Sequence, residues 1–551
     1  MAIREEAPTR ATHEVANQPP PLADYNVVEQ DAALREALER EGAAWAAERV
    51  RAVGEIAGSA RAIEWGFQAN EHPPRLRTHD RYGNRIDEVE FHPAWHSLLD
   101  VAVEHELHAG PWRDPRPGAH VARAAAFYAL TQAEGGFGCP ISMTYAAVPA
   151  LRANPELAAE WEPRFLSTVY DRRFIPGPEK NGALCGMAMT EKQGGSDVRA
   201  NTTRAQPVGE GAYEITGHKW FCSAPMCDAF LVLAQAPEGL TCFLLPRWTP
   251  DGLRNRFHLQ RLKDKLGNRS NASSEVEFDR ALAWRIGDEG RGVPTIIEMV
   301  NHTRLDCIIG SAAGMRLGVA QATHHAAHRA AFGRRLAEQP LMQSVLADLA
   351  IESEAATATA LRLARAYDEA AAGDRDARLF VRLATAVSKY WICKRGPMHA
   401  AEALECLGGN GFVEDSGMPR LYRESPLNSI WEGSGNVICL DVLRAMARSP
   451  ESVELFFAEV NGAAGADPRL DAFVTDLTGR LGDVDEARAR SVVERMALAL
   501  QASLLVRHAP PAVANAFVAS RVAGQGGRAF GTLPAGLDLE AIVERATPRV
   551  A

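Results

Sequence analysis

The chain has 551 residues, too many for a single hydrophobic core, and its size predicts three or four domains. A formal net charge of -10, with 24% charged and 46% hydrophobic residues, is ordinary for a globular enzyme and excludes a global basic signature for nucleic acid. The N-terminal residues lack a secretory signal, and no apolar run approaches the about 18 residues that span a bilayer. We therefore expect a cytoplasmic protein with no membrane segment, in which any DNA contact is local.

Metal and disulfide chemistry are not expected. The nine cysteines include no C-x-x-C pair, which argues against a disulfide framework and a structural zinc site. His324, His325 and His328 lie on one predicted helical turn, a spacing that sometimes holds a metal ion and more often is polar helix surface. No cysteine or acid stands at ligand spacing beside them, so the sequence favours the surface interpretation.

The predicted order of structure along the chain is helix, sheet, helix. Residues 1–30 form an extended arm with three consecutive prolines, which either lies along a neighbouring subunit or is a loose terminus. Residues 31–180 are rich in alanine, leucine, glutamate and arginine and predict a helical domain. Residues 181–290 predict a small β-domain, a barrel or a sandwich, from short apolar or alternating segments at 213–217, 230–234, 241–245 and 275–278.

Helices are predicted again in residues 291–450 and in residues 451–551, from the spacing of apolar residues and from composition. The predicted fold class is α+β multidomain. It comprises an N-terminal helical domain, a middle β-barrel or β-sandwich domain, a C-terminal helical bundle and an extra C-terminal helical domain.

Two segments predict the halves of one flavin site. Residues 189–197 offer hydroxyl groups and a flexible backbone around two glycines, which suits hydrogen bonding to the polar edge of a planar heterocycle. In the second segment, residues 430–436, Glu432 stands beside Trp431. An apolar neighbour should raise the pKa of this carboxyl toward that of a general base. Alternatively, Glu432 is a carboxylate at the start of the helical run 436–448, where the helix dipole would lower its pKa.

These motifs resemble those of the acyl-CoA dehydrogenase superfamily. Residues 190–197 are similar to its flavin-pyrimidine loop and residues 217–223 to its segment beside the isoalloxazine ring. Residues 329–333 with Gln343 resemble the segment that reaches the pyrophosphate of a flavin bound mainly by the adjacent subunit, and residues 407–411 and 431–433 complete the set. Longer strings at 91–96, 189–197, 261–272 and 428–436, with the extra C-terminal region, resemble the AidB-like, alkylation-response subgroup.

The resemblance implies a homotetramer that binds FAD. It also implies that Glu432 removes the proton alpha to a thioester carbonyl while the flavin accepts the beta hydrogen as hydride. The residues expected to bind FAD are Met187, Met189, Thr190, Gly195, Ser196, Phe221, Ser223, Arg329, Phe332, Gln343, Gly408, Gly409, Trp431, Gly433, Ser434 and Asn436.

Departures from the superfamily pattern affect the substrate. Trp431 stands where the superfamily usually has a tyrosine, and its indole should narrow the access to the flavin. Residues 301–304 resemble the Asp-Lys-Thr-Arg segment that helps to hold coenzyme A, but they keep only Thr303 and Arg304, which puts acyl-CoA binding in doubt. Trp431, Arg304 and Arg444 are expected at the substrate cavity, with a solvated helix position as the alternative for Arg444.

A basic segment predicts contact with double-stranded DNA. Residues 487–528 contain six arginines, one acid and no lysine, a formal charge of +5. The candidate contacts are Arg488 and Arg495, which share a helical face, together with Arg521 and Arg528. A solvated basic face is the alternative, and the resemblance favours DNA binding.

Three functions remain open from the sequence. The first is an FAD-containing protein of the DNA alkylation damage response, which binds double-stranded DNA non-specifically and inactivates alkylating agents or protects the DNA. The second is a metabolic short branched-chain acyl-CoA dehydrogenase that donates electrons to an electron-transfer flavoprotein. In the third, FAD is a structural element of a DNA-covering protein that has no turnover.

Overall fold

The N-terminal part of the protein is helical, with one inserted hairpin. The structure is a computed structural model that describes residues 12–209 and 211–550. The helices are α1 (Ala32–Arg40), α2 (Ala47–Gly58), α3 (Ala60–Glu71), α4 (Pro93–Glu104), α5 (Gly110–Arg113), α6 (Ala119–Thr131), α7 (Gly138–Leu151) and α8 (Pro155–Phe165). Between α3 and α4, strands β1 (Arg75–His79) and β2 (Arg85–Glu90) pair antiparallel, a hairpin that the helical prediction for residues 31–180 missed.

The middle of the chain forms a seven-stranded sheet, as predicted. Its strands are β3 (Cys185–Ala188), β4 (Arg204–Gly209), β5 (Ala212–Ser223), β6 (Ala229–Ala236), β7 (Gly239–Pro246), β8 (Phe257–Leu262) and β9 (Ser273–Ile286). The strand pairing runs from β6 through β7, β9, β5 and β4 and back to β6, so the sheet closes on itself. The four predicted β segments lie in β5, β6, β7 and β9, and the two most apolar ones lie in β6 and β7, whose residues are nearly all buried.

Long helices follow the sheet. They are α9 (Gly292–His328), α10 (Pro340–Ala371), α11 (Arg375–Glu405), α12 (Met418–Glu424) and α13 (Gly435–Arg448). A short hairpin of β10 (Ala330–Ala331) and β11 (Arg334–Arg335) separates α9 from α10. Helices α9, α10 and α11 pack against one another, and α7 crosses α9, so this bundle shares its core with the N-terminal helices.

The last region is helical, as predicted, and packs on the bundle. Its helices are α14 (Pro450–Val460), α15 (Pro468–Gly479), α16 (Ala489–His508), α17 (Pro511–Phe517), which continues into a π-helical turn at Val518–Val522, and α18 (Leu539–Ala546). Apolar residues of α16, α17 and α18 share one buried cluster with residues of α9, α10 and α11. The described residues contain no helix that is long and apolar enough to cross a bilayer.

Within the described residues, the predicted arm is tied to its own chain rather than loose. The Asn17 side chain donates to the carbonyl oxygen of Ala330 (2.8 Å) and accepts from its backbone N–H (2.7 Å). Asn410 donates to the Gln18 side chain (3.2 Å), and His324 donates to the carbonyl oxygen of Pro20 (2.8 Å). Residues 1–11 of the predicted arm lie outside the described residues.

A buried ion-pair network joins the C-terminal region to the bundle. Glu352 on α10 accepts hydrogen bonds from Arg395 on α11 (3.2 Å) and from Arg521 (2.9 Å), and Arg521 also pairs with Asp348 (2.5 Å). Burial opposes ionisation of Glu352, but the two guanidinium groups outweigh it and lower the pKa of this carboxyl to about 2. Glu352 is therefore ionised throughout the neutral and mildly acidic range.

We expect Glu352→Gln to lower the free energy of unfolding by about 3–5 kcal/mol, because it leaves buried guanidinium charge unpaired. The native pKa lies below the usual 4.5, so the contribution of Glu352 is full above about pH 5 and decreases as the pH falls toward 2. Denaturant titrations of both proteins at several pH values measure this difference, which should shrink over that interval. The exposed Glu39→Gln serves as the control, and a difference that is the same at every pH would contradict the assignment.

Candidate active site

A cavity of about 1310 Å³ lies between the β-sheet and the helical bundle. It brings together most of the residues that were predicted for the cofactor site, the substrate cavity and the general base. Those that line it are Met187, Met189, Thr190, Gly195, Ser196, Phe221, Ser223, Arg304, Trp431, Glu432, Gly433, Ser434 and Arg444. Residues of the β-domain and the turn that contains Glu432, which are far apart in sequence, thus line the same cavity.

The β-domain wall is fixed by a buried ion pair. Lys219 on β5 donates to Glu191 (2.9 Å), and both side chains are fully buried. Burial opposes ionisation of Glu191, but Lys219 and neighbouring backbone N–H groups lower the pKa of this carboxyl to about 2. The backbone N–H of Trp220 donates to the carbonyl oxygen of Thr190 (2.8 Å). These bonds connect the loop that carries Thr190 to the strand that carries Phe221 and Ser223.

Glu432 lies in a strained turn directly before α13. Its φ is 57°, in the left-handed region, which costs a residue with a side chain about 1–3 kcal/mol. Lys389 on α11 donates to the carbonyl oxygens of Trp431 (2.8 Å) and Gly433 (2.5 Å), and Arg304 on α9 donates to that of Glu432 (3.1 Å). Two cationic side chains therefore bind three consecutive carbonyl groups and hold the turn in this conformation.

Glu432 is partly buried at the wall of the cavity, and its carboxyl group makes one hydrogen bond within the described structure. Thr303 donates to its Oε2 (2.8 Å). Burial raises the pKa of Glu432 above its usual value, although Thr303, Lys389 and Arg304 act in the opposite direction. An increase in the pKa of Glu432 is what the general-base interpretation requires, whereas the helix-dipole alternative predicts a decrease.

Thr303 and Arg304 on α9 both line the cavity. Arg304 pairs with Asp441 on α13 (2.8 Å), which Arg382 also contacts (2.6 Å), so its guanidinium has partners within the chain. His302 lies away from the cavity, in a buried cluster with Trp112 and Tyr145. At the cavity mouth, Arg444 is exposed and has no hydrogen bond or ion pair within residues 12–209 and 211–550.

Six predicted cofactor residues lie outside the cavity. Arg329 and Phe332 belong to the β10–β11 hairpin, and Phe332 is 98% exposed at its tip. Gln343 is in the first turns of α10, and Gly408 and Gly409 lie in an exposed 3₁₀ turn after α11. Asn436 accepts a hydrogen bond from Arg490 (2.8 Å).

The basic segment is largely neutralised by acids from outside it. Arg495 pairs with Asp476 (2.6 Å), and Arg488 pairs with Asp485 (3.3 Å). Arg521 is buried against Asp348 and Glu352, so its predicted role as a DNA contact is wrong for this conformation. Arg528 is exposed and unpaired within the described part of the chain. The formal charge of +5 therefore overstates the free positive charge of this surface.

The histidine cluster has contacts within the chain. His324 binds the arm, and His328 donates to the carbonyl oxygen of His324 (2.8 Å). Among the residues that the structure describes, no group of three or more histidine, cysteine, aspartate or glutamate side chains could hold a metal ion. All nine cysteines are free.

Comparison with known proteins agrees with this architecture. Family models match residues 17–172 (adaptive response protein AidB N-terminal domain), 186–281 (acyl-CoA dehydrogenase, middle domain) and 290–447 (acyl-CoA dehydrogenase, C-terminal domain). AidB of Escherichia coli (strain K12), whose name includes the words acyl-CoA dehydrogenase, is 46% identical over 518 residues, 94% of this chain and 95% of its own. The chain belongs to the AidB-like subgroup of the acyl-CoA dehydrogenase superfamily.

A sequence relative and a solved structure, both from Caenorhabditis elegans, extend the comparison. Acyl-CoA dehydrogenase family member 11 is 32% identical over 410 residues, 72% of this chain and 66% of its own. The crystal structure of ACDH-11 in complex with C11-CoA superposes with a TM-score of 0.84 at 26% identity and covers 95% of both chains. The extra C-terminal helices are therefore part of a fold that a solved structure shares over nearly its full length.

Proposed function

We propose that this protein is a flavin-dependent oxidoreductase in which Glu432 is the general base. The observation that carries the proposal is the position of Glu432, a partly buried carboxyl with a raised pKa that lines the same cavity as the loop that presents Thr190 and Ser196. Perturbed carboxyl groups in large enclosed cavities are typical of acid–base catalysis.

The cavity fits FAD. Thr190, Ser196 and Ser223 supply hydroxyl groups for the polar edge of the ring, and Met189 and Phe221 supply apolar surface for its faces. When bound, FAD would accept the hydride that the substrate loses. Gly433 and Ser434 would hold the rest of the cofactor in the same chain, and Phe332, Gln343, Gly408 and Gly409 would do so from a neighbouring one.

The chain's own residues would prepare the proton transfer. Burial favours the neutral carboxyl, so a proton that Glu432 removes from a C–H bond would be held more firmly than on a solvated carboxylate. The hydrogen bond from Thr303 would orient the accepting carboxyl. Lys389 and Arg304 would keep the turn from relaxing, which fixes the carboxyl relative to the substrate.

The biological setting that we propose is the response to alkylation damage, with a small reactive compound as the substrate. The matched description, adaptive response protein AidB, supports this setting. The alternative is a metabolic acyl-CoA dehydrogenase, which the C11-CoA complex of ACDH-11 supports. The pairing of Arg304 with Asp441 argues against the alternative, because it leaves one fewer cation for the phosphates of coenzyme A.

We expect excess isovaleryl-CoA to bleach the protein's flavin only slowly under anaerobic conditions, and Glu432→Gln to lower that residual rate by about 100-fold or more without loss of bound flavin. Stopped-flow absorbance measures both, with the exposed Glu160→Gln as the control. Rapid bleaching would favour the metabolic alternative, and an unchanged rate in Glu432→Gln would refute the assignment of the base.

We further propose a homotetramer whose chains complete one another's cofactor sites. Phe332, Leu341 and Phe412 are 98%, 85% and 81% exposed, and large apolar side chains so exposed are typical of interaction surfaces. Mass photometry should detect four chains. Phe332→Asp should give smaller species with a lower flavin content, whereas Leu253→Asp, on the β-domain, should change neither. Full flavin content in a monomer would refute the shared site.

We propose that duplex DNA binds to the exposed part of the C-terminal region, with Arg528 and Arg488 as contacts. Binding should weaken as salt increases, and Arg528→Ala should lower the affinity uniformly across sequences and reduce the salt slope by about 1. Electrophoretic retardation of a random duplex at two salt concentrations measures this effect, with exposed Arg204→Ala on β4 as the control. Failure of the full-length protein to retard DNA at low salt would refute DNA binding.

A further inference from the structure

A second cavity, of about 490 Å³, lies between helix α4, the segment 167–184 and the turn that joins β5 to β6. It shares no lining residue with the cavity that contains Glu432. The two cavities are nonetheless neighbours, because Ser223 lines the first and Ala224 lines the second. A volume of this size is within the range of small-molecule sites. The second cavity is therefore distinct from the proposed flavin site and large enough to hold a ligand of its own.

One wall of the second cavity is aromatic and comes from residues 91–96, a string that the flavin site does not use. Phe91 and Trp95 stand four residues apart across the start of α4, and their rings stack with centroids 3.9 Å apart. His96 stacks on Tyr170, which belongs to the irregular segment after α8, with centroids 5.8 Å apart. Trp95 is buried, whereas Phe91, His96 and Tyr170 are partly exposed. This wall therefore offers ring surface to the body of a ligand.

The contact between Tyr170 and His96 determines which ring nitrogen carries the proton. The Tyr170 hydroxyl lies 2.8 Å from Nδ1 of His96. This hydroxyl has no other acceptor within the described residues, so it donates to Nδ1, and the ring proton is on Nε2. Burial, together with the charge of Arg172, lowers the pKa of His96 to about 4, so the ring is neutral at neutral pH. His96 is therefore a neutral donor through Nε2.

The Nε2 atom of His96 is available to a ligand. It has no hydrogen-bond partner in the described part of the chain, and His96 is partly exposed at the cavity wall. In contrast, Nδ1 of His108, which lines the same cavity, is closed to solvent. The donor that we assign to this site is thus one that solvent can reach.

The carboxylates of the wall are all paired. They belong to Glu88, Glu90, Asp171 and Asp228, and their partners are, in the same order, Arg254, Arg77, Arg173 and Lys180. Arg172 also lines the cavity, is exposed, and makes no hydrogen bond or ion pair within residues 12–209 and 211–550. Its charge acts on His96 and Tyr170, which places it beside them. Within the described structure, the wall therefore has one positive charge that no carboxylate of the wall neutralises.

Asp100 on α4 does not take up the charge of Arg172. Burial raises the pKa of Asp100, and the guanidinium of Arg172 acts in the opposite direction, so the two groups are near each other. Within the described residues they form no ion pair, and Asp100 is exposed and does not line the cavity. Water can solvate its carboxylate. Arg172 therefore remains able to bind another carboxylate in the two-bonded geometry that guanidinium groups favour.

We propose that the second cavity binds a small monocarboxylate with an aromatic body. The carboxylate accepts hydrogen bonds from Arg172 and from Nε2 of His96, and the ring lies against Phe91 and Tyr170. One unpaired cation and one neutral donor match a single negative charge, whereas a phosphate dianion would bring more charge than the wall can neutralise. The site goes beyond the proposed function, because none of its residues lines the flavin cavity.

A matched pair of probes tests the proposal on the full-length protein. Benzoate and benzamide have the same number of heavy atoms and nearly the same shape, and only benzoate is an anion at neutral pH. Isothermal titration calorimetry should give an affinity for benzoate at least about tenfold higher, the size of one charge-assisted hydrogen bond. Equal affinities, or no detectable binding of benzoate at millimolar concentrations, would overturn the proposal.

Variants of two arginines locate the binding. Arg172 and Arg444 are both exposed and lack a partner within the described structure, but Arg172 lines the second cavity and Arg444 the first. Arg172→Gln should lower the affinity for benzoate by about tenfold or more, and Arg444→Gln should leave it unchanged. Unchanged affinity in Arg172→Gln, or a loss in Arg444→Gln, would overturn the assignment to the second cavity.

A variant of His96 tests the neutral donor. His96→Phe keeps an aromatic ring and removes Nε2, so the affinity for benzoate should fall severalfold while that for benzamide changes less. The ring is neutral at neutral pH, so the decrease should be the same at pH 6 and pH 8. Thermal unfolding shows whether the variant is folded. Full affinity in a folded His96→Phe protein would contradict the proposed contact, and Arg172→Gln, at an exposed position, provides the test if His96→Phe does not fold.

Discussion

Three consecutive carbonyl groups, those of residues 431 to 433, accept hydrogen bonds from Lys389 and Arg304, and the position of Glu432 depends on these bonds. A left-handed residue with a side chain persists only where its surroundings determine it. Here the determining groups come from two long helices, α9 and α11, that form the centre of the bundle. Glu432 is thus carried by a short turn whose geometry is set by side chains of two long helices of the bundle.

Charge pairing also explains how the parts of the chain are joined. Lys219 with Glu191 fixes the β-domain loop, and Glu352 with Arg395 and Arg521 fixes the last helices to the bundle. Such pairs are weak sources of stability, because desolvation offsets much of their attraction, but removal of one partner is costly. They therefore specify which segments meet, while the shared apolar clusters supply the driving force.

The features that could be predicted from the sequence are those encoded by residues close together in the chain. The strands of the β-domain were predictable because their apolar runs are bounded by turn residues, and the cavity residues because they stand in short motifs. The β1–β2 hairpin was missed because only Leu76, Ile86 and Val89 interrupt its polar residues. Arg521 was misassigned because a charge count within one segment cannot include Asp348 and Glu352, which meet it only in the folded chain.

The same limit applies to the site. The role of Lys389 was not predicted, because nothing in the sequence distinguishes a buried lysine of a helix from a surface lysine. Glu424 and Arg420 are four residues apart on a helix, which from the sequence predicts a surface ion pair. In the structure both residues line the cavity and do not pair with each other, and no local sequence pattern encodes this burial.

The attachment of Asn17 has a consequence for the order in which the protein matures. Asn17 bonds Ala330 across 313 positions of sequence, and Gln18 bonds Asn410 across 392. The N-terminal residues leave the ribosome first, but they can dock only after both distant segments have been made and folded. The arm can therefore dock only late in folding, and it holds the β10–β11 hairpin and the turn after α11 only once the rest of the chain has been made.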